Sequence, residues 1–164
     1  VLHGREVLYV VEQRAPGRPP LVTDVGVRLP AQLTASGRAL LADLPAAQVR
    51  ALFPNADAFV DRHGAGPRKL SELRRLLGEA RRAGHAAEDG EVTPGFASVA
   101  AAVHDHAGRP AAGIAVTFPA GDVGLPARSE LAVRVSRAAA ELTRRINGRS
   151  PQRLGSQTAS PSAP

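Results

Sequence analysis

Four hydroxyl side chains, Thr34, Ser36, Ser98 and Thr117, are the first candidates for chemistry in this sequence. A serine or threonine becomes a nucleophile only when a base within hydrogen-bond reach takes its proton. The sequence sets no histidine beside any of the four, and the Gly-x-Ser-x-Gly elbow is absent, so hydrolysis is not expected. His104-Asp105-His106 offers two imidazoles on one face of a strand end, but a metal needs a third or fourth ligand and Asp105 alternates to the other side. It reads as a solvated turn. Glu88, Asp89 and Glu91 form an acidic cluster with two readings: an exposed turn, or Asp89 turned inward to accept a hydrogen bond from a bound hydroxyl or from helix-start amides. The stretch HGAGPRK, from His63 to Lys69, has glycines without the spacing or the strand-then-helix setting of a phosphate loop. Neither a metal nor a cofactor is expected.

The hydroxyls stand out for a different reason: their neighbours are small. Thr34, Ala35, Ser36 and Gly37 open a segment whose second half, Arg38 to Leu44, is rich in helix formers. A helix start of this kind presents unpaired backbone N–H groups, and Gly37 allows something to approach the backbone closely. A capping threonine and a tight helix contact are the plainer explanations.

The segments Phe96 to Asp105 and Pro110 to Phe118 read as two strands joined by the turn DHAG. Successive strand residues face opposite sides. With His106 and Ala107 as a two-residue link, residue 98 pairs with 115 and 100 with 113, and Ser98, Ala100, Ala102, Gly113, Ala115 and Thr117 share one face. A three-residue link with Gly108 in a bulge would mix the sets. The shared face is almost bare of bulk, whereas Val99, Val103, Ile114, Val116 and Phe118 collect on the other. A bare face is either covered closely by helices or left open as a cavity with hydroxyls on its wall.

Elsewhere the pattern is coarser. REVLYVVEQ is apolar on both faces and reads as a buried inner strand, APGRPP as a loop, and Leu21 to Val25 as a second strand. A short helix follows Pro45, then an irregular stretch from Pro54 to Pro67. Lys69 to Ala83 is an amphipathic helix ended by Gly84, and Ser129 to Ile146 is a second, with Leu131, Val135, Ala138, Leu142 and Ile146 as its inward stripe. Strands and helices do not alternate regularly, so an α+β fold is expected, an antiparallel sheet flanked by helices. Residues 1–147 make one domain, and 148–164, with little apolar content, a disordered tail.

Composition narrows the class. The 164 residues include no Cys, Met or Trp, one Tyr and four Phe, so the core must be built from small aliphatics, and no thiolate chemistry is available. The lack of an initiating Met suggests a fragment of a longer chain. No apolar run approaches the ~20 residues that cross a bilayer, which points to a soluble, cytoplasmic protein without membrane contact. The net charge of +6 is scattered among interleaved arginines and acids, without aromatics to stack on bases, so direct nucleic-acid binding by these residues is not expected.

Several stretches, in order, resemble the effector-binding domain of the IclR family of bacterial transcription regulators. GREVLYVVEQ resembles its first strand. LVTDVGVRLPAQLTASGRALLADLP resembles the segment carrying Gly-x-x-x-Pro, a run of small residues, and Gly-Lys-Ala-Leu-Leu-Ala. LSELRRLLGEARRAGHAAEDGEVTPGFASVAAAVHDHAGRPAAGIAVTFPA resembles the helix, acidic turn, Gly-x-x-x-Val-Ala motif and Asp-x-x-Gly hairpin that follow. Gln32 stands where His is frequent and Arg38 where Lys is frequent, and the stretch from Asn55 to Arg68 lacks the usual Thr-Pro segment. The resemblance implies a GAF-like (profilin-like) fold that binds a small organic effector, an organic acid or aromatic acid, and assembles as a homo-dimer or tetramer. It implies DNA contact only through an N-terminal winged helix-turn-helix that does not precede Val1. The pocket implied by position comprises Leu29, Thr34, Ala35, Ser36, Gly37, Asp89, Ser98, Ala115 and Thr117.

Overall fold

The computed structural model describes residues 1–14, 16 and 24–149. The loop expected at 15–20, most of the strand expected at 21–25 and the tail from residue 150 lie outside them. Six strands, β1 (Leu2–His3), β2 (Glu6–Leu8), β3 (Arg28–Pro30), β4 (Ala86–Asp89), β5 (Phe96–His104) and β6 (Pro110–Pro119), form two antiparallel sheets of three, ordered β1-β2-β3 and β4-β5-β6. Among the described residues four α-helices accompany them, α1 (Ala35–Ala42), α2 (Ala46–Leu52), α3 (Leu70–Ala83) and α4 (Leu125–Arg145), with one 3-10 turn at Ala56–Ala58. The fold is α+β, as its irregular element order implied.

Helix α1 is the axis of the molecule. All eight of its residues are buried. One side meets β4, β5 and β6 and the other meets α3, so a core of Ala31, Ala35, Ala39, Leu41, Leu73, Leu77 and Ala100 runs through these layers. A helix buried all round must satisfy its ends within the protein. Thr34 does so at the start, its Oγ1 accepting a 2.9 Å hydrogen bond from Gly37 N. Arg38, 3% exposed, spends its guanidinium on Gln32 O (2.8 Å), Ala87 O (2.9 Å) and Glu91 Oε1 (2.7 Å). It thereby ties α1 to the preceding turn, to β4 and to Glu91.

The β5–β6 hairpin departs from its expected register yet keeps its faces. Ser98 pairs with Thr117, Ala100 with Ala115 and Ala102 with Gly113, two residues away from the expected pairing. The link has three residues, with Asp105 N bonded to Arg109 O at 2.9 Å and Gly108 at φ +73°, a left-handed conformation that suits glycine. That alone would interchange the faces. A second irregularity between Val103 and His104, where Val103 pairs with Ala112 and His104 with Pro110, adds one residue on β6 and restores them. The small-residue face therefore turns to α1, and Ala97, Val99, Ala101, Val103 and Phe118 pack on α4.

Two expectations about apolar faces require correction. The strand at REVLYVVEQ is central in its sheet but only three residues long; beyond Tyr9 the chain leaves the sheet, and Val10 and Val11 are exposed. On α4 the inward stripe is Ala132, Val135, Ala139 and Thr143, while Leu142 and Ile146 lie outside. The helix also begins at Leu125, because Gly124 and Pro126 supply a start four residues earlier than the apolar spacing did. Opposite the alanines of β5, a helix that presents alanines can pack closely, and its larger side chains turn away.

Candidate ligand pocket

The start of α1, the small-residue face of β5 and β6, and the inner edge of β4 converge on a cavity. It is lined by Thr34, Ala35 and Ser36 from α1 and its cap, by Ser98, Ala115 and Thr117 from the hairpin, and by Glu88 from β4. Tyr9 closes one side, and Val92 and Thr93 from the β4–β5 connection with Phe96 at the start of β5 close another. The volume is about 20 Å³, room for about one water molecule. Two broader clefts, about 590 and 480 Å³, lie elsewhere. The first is walled mainly by alanines of α1, α3, β5 and α4 together with His85 and His104, and His104 is already paired with Asp43 Oδ2 at 2.8 Å.

Polar groups in the cavity form a chain. Ser98 Oγ donates to Glu88 Oε1 at 2.6 Å and lies 3.0 Å from Thr117 Oγ1. Burial pushes the pKa of the Tyr9 hydroxyl up, against its interaction with the nearby Ser36. Glu88 is 6% exposed, and its other oxygen, Oε2, is buried with no hydrogen-bond partner. Burial first, and the neighbouring Glu91 second, push this carboxyl up to about 7, against the hydrogen bond from Ser98 and the charge of Arg38. No Lys, Arg or His lines the cavity.

Six of the nine expected pocket residues line this one space. The other three do not. Leu29 lies behind it in a small cluster with Leu33 and Val92. At Gly37 a Cβ would stand 2.2 Å from Ala31 O, so what approaches this glycine closely is the protein's own backbone. Asp89 points outward, exposed, its Oδ2 bonded to Arg128 Nη1 at 2.6 Å. The inward acid is its neighbour Glu88, because residues 86–89 are a strand and not a turn, with Ala86 and Glu88 alternating to the inside. The same alternation, had the strand been recognised, would have identified Glu88 from the sequence. Tyr9, the β4–β5 connection at Val92 and Thr93, and Phe96 carry no comparable local signal. The His104-Asp105-His106 stretch is also not a solvated turn throughout: His104 is buried, its N bonded to Thr143 Oγ1 at 3.1 Å. Among the described residues no group of three His, Cys, Asp or Glu side chains could hold a metal ion.

The family model described as bacterial transcriptional regulator IclR C-terminal matches residues 1–144. The chain belongs to the IclR family. IclR proteins are transcriptional regulators and not enzymes. Among curated relatives, the glycerol operon regulatory protein of Streptomyces coelicolor is 33% identical over 117 residues, covering 71% of this chain and 45% of the relative. The Agobacterium tumefaciens repressor BlcR superposes with TM-score 0.84 at 29% identity, over 92% of this chain and 59% of that one. The Thermotoga maritima IclR gives 0.81 at 23% identity, over 89% and 59%, a likeness of fold. The chain thus spans about half the length of the curated relative, and corresponds to the C-terminal domain of an IclR regulator. No helix among the described residues is long and apolar enough to cross a membrane.

Proposed function

We propose that this IclR C-terminal domain is an effector sensor, taking a small organic molecule between the start of α1 and the small-residue face of β5 and β6. The observation that carries the reading is the convergence of six hydroxyl side chains, those of Tyr9, Thr34, Ser36, Thr93, Ser98 and Thr117, on one cavity beside Ala35, Ala115 and Glu88. Small residues were needed on both surfaces to create it. Binding would shift the equilibrium between arrangements of a homo-dimer or tetramer, and so the spacing of N-terminal winged helix-turn-helix domains that contact DNA in the longer protein. The likeness to a glycerol operon regulatory protein supports a role in regulating the genes of a small carbon compound in the cytoplasm.

The volume of about 20 Å³ favours one other reading, a module used for oligomerisation whose pocket no longer admits a ligand. In the sensor reading, Tyr9 and the β4–β5 connection bearing Val92 and Thr93 part as the effector enters. Thermal-shift screening against small organic acids and polyols separates the two, because a ligand that binds only the folded state at 100 times its Kd adds about 2.7 kcal/mol of stability. Ser98→Leu or Ala115→Phe should abolish the shift while the domain stays folded. A shift that survives both substitutions would remove the pocket from consideration.

A further inference from the structure

We propose that the outer edge of β6 is the surface on which two copies of this chain join, strand against strand, so that Ala115 and Thr117 serve both the cavity and the interface. The inference rests on the oligomer named in the proposed function and gives it a surface.

The sheet β4-β5-β6 has two outer edges, and the chain treats them differently. Along an antiparallel ladder, successive residues aim their backbone N–H and C=O alternately toward one side of the strand and the other. Gly90 N donates to Phe96 O at 2.8 Å, which sets the phase of β4: Ala86 and Glu88 bond to β5, and Ala87 and Asp89 aim outward. That edge is closed. Arg38 Nη1 donates to Ala87 O at 2.9 Å, and Asp89 N donates to Glu91 Oε2 at 2.6 Å, so the Arg38–Glu91 ion pair sits where a further strand would bond. On the opposite edge, Ala120 N donates to Gly95 O at 2.8 Å, so Ile114, Val116 and Phe118 bond to β5, and Gly113, Ala115 and Thr117 aim outward. Among the described residues none of these three outward pairs of backbone groups has a hydrogen-bond partner. The strand that bears them is ten residues long, carries no charge and has proline only at its ends, Pro110 and Pro119. An edge without charge or cover is a template for another strand.

A second copy is the occupant that fits. An uncharged strand offers a foreign peptide no charge to recognise, and its own copy none to repel. In an antiparallel two-fold pair centred on Ala115, Gly113 lies opposite the partner's Thr117 and Ile114 opposite the partner's Val116. Helix α4 lies mainly over β5, which leaves Ile114 half-buried and Val116 37% exposed, and these cross-strand aliphatic pairs cover both. The side chains of Ala115 and Thr117 meanwhile line the cavity. A guest pressing on that wall therefore moves the strand whose backbone holds the partner.

Because the chain has no cysteine, introduced thiols report the register directly. Copper phenanthroline oxidation of mixed Ile114→Cys and Val116→Cys chains should give a disulfide-linked pair, and neither variant alone should link, because like positions stand too far apart for a disulfide in this register. In sedimentation equilibrium the parent chain should associate, and Val116→Lys, whose side chain turns away from the cavity, should weaken association roughly tenfold or more with an unchanged circular dichroism spectrum. Adding Ile114→Glu to Val116→Lys should restore it, since the lysine then meets the partner's residue 114 as an acid. Association that Val116→Lys leaves unchanged, or linking of each thiol variant with itself and not with the other, overturns the proposal while the oligomer stands. A parent chain that stays monomeric overturns both, and the thermal-shift screen then tests the sensor separately.

Discussion

Glu88 and Ser98 are direct cross-strand partners of β4 and β5, and the serine hydroxyl donates to the buried carboxyl at 2.6 Å. The pair lies inside the fold, so the carboxyl's ionisation is coupled to folding. Its pKa rises from the ordinary 4.5 to about 7, chiefly through burial, so between those values the folded state holds a proton that the unfolded state has lost. The contribution to stability is therefore complete below pH 4.5 and is lost as pH rises through about 7. The whole effect is on the order of 3 kcal/mol. Glu88→Gln should match the parent protein at pH 5 and be the more stable of the two at pH 8. Urea denaturation at the two pH values measures this; equal loss of stability in both proteins would assign the pH dependence to other groups.

Arg38 is the second buried charge whose removal has a defined consequence. Arg38→Met leaves Gln32 O and Ala87 O without their donors and Glu91 without its cation. Breaking such a pair by deleting one partner costs about 3–5 kcal/mol. Arg38→Lys should cost less, since an ammonium restores the charge but cannot reach three acceptors in one plane. Equilibrium unfolding orders the three proteins: parent, then lysine, then methionine.

Two glycines at the α1–sheet contact should respond unequally to alanine. At Gly37 the new Cβ would lie 2.2 Å from a backbone oxygen, that of Ala31, which cannot rotate aside. At Gly113 it would lie 3.3 Å from Ser36 Cβ, a distance that a small shift relieves. Gly37→Ala should reach or exceed the top of the ~1–3 kcal/mol range for overpacking, and Gly113→Ala should stay below about 1.5 kcal/mol. Melting temperatures of the two variants give the comparison directly.

Thr34 both caps α1 and borders the cavity. Thr34→Ala removes the acceptor for Gly37 N at a buried position, and should cost about 1–2 kcal/mol. Thr34→Ser keeps the oxygen and should recover most of it. If the two substitutions are equally damaging, the methyl group and not the cap is what the fold requires.

The long periodic elements were legible in the sequence, and so was the size segregation of the hairpin. Leu73, Leu77 and Ala80 mark the inward side of α3, and left-handed Gly84 ends it. Harder to read was which acid faces inward. β4 is four residues long, and its Ala-Ala-Glu-Asp has no apolar alternation strong enough to distinguish a strand from a turn; pairing with β5 decides it. Gly37 was read as access for a guest because sequence records the missing side chain and not what fills its place. On α4 the large aliphatics suggested the inward stripe, yet the alanines of β5 select alanines in return. Tyr9 reaches the cavity because it directly follows the end of β2, a tertiary fact with no local signature.

The hairpin contains two single-residue irregularities, one at Gly108 and one beside His104, and each undoes the other's effect. A chain that lost only one of them would arrive at position 117 half a period out of step, with Phe118 thrust into the space beside Ser36 and Thr117 stranded under α4. Length changes at this tip can be tolerated only in compensating twos, so the distance in residues from Ser98 to Thr117 is as much a part of the binding wall as the hydroxyls it carries.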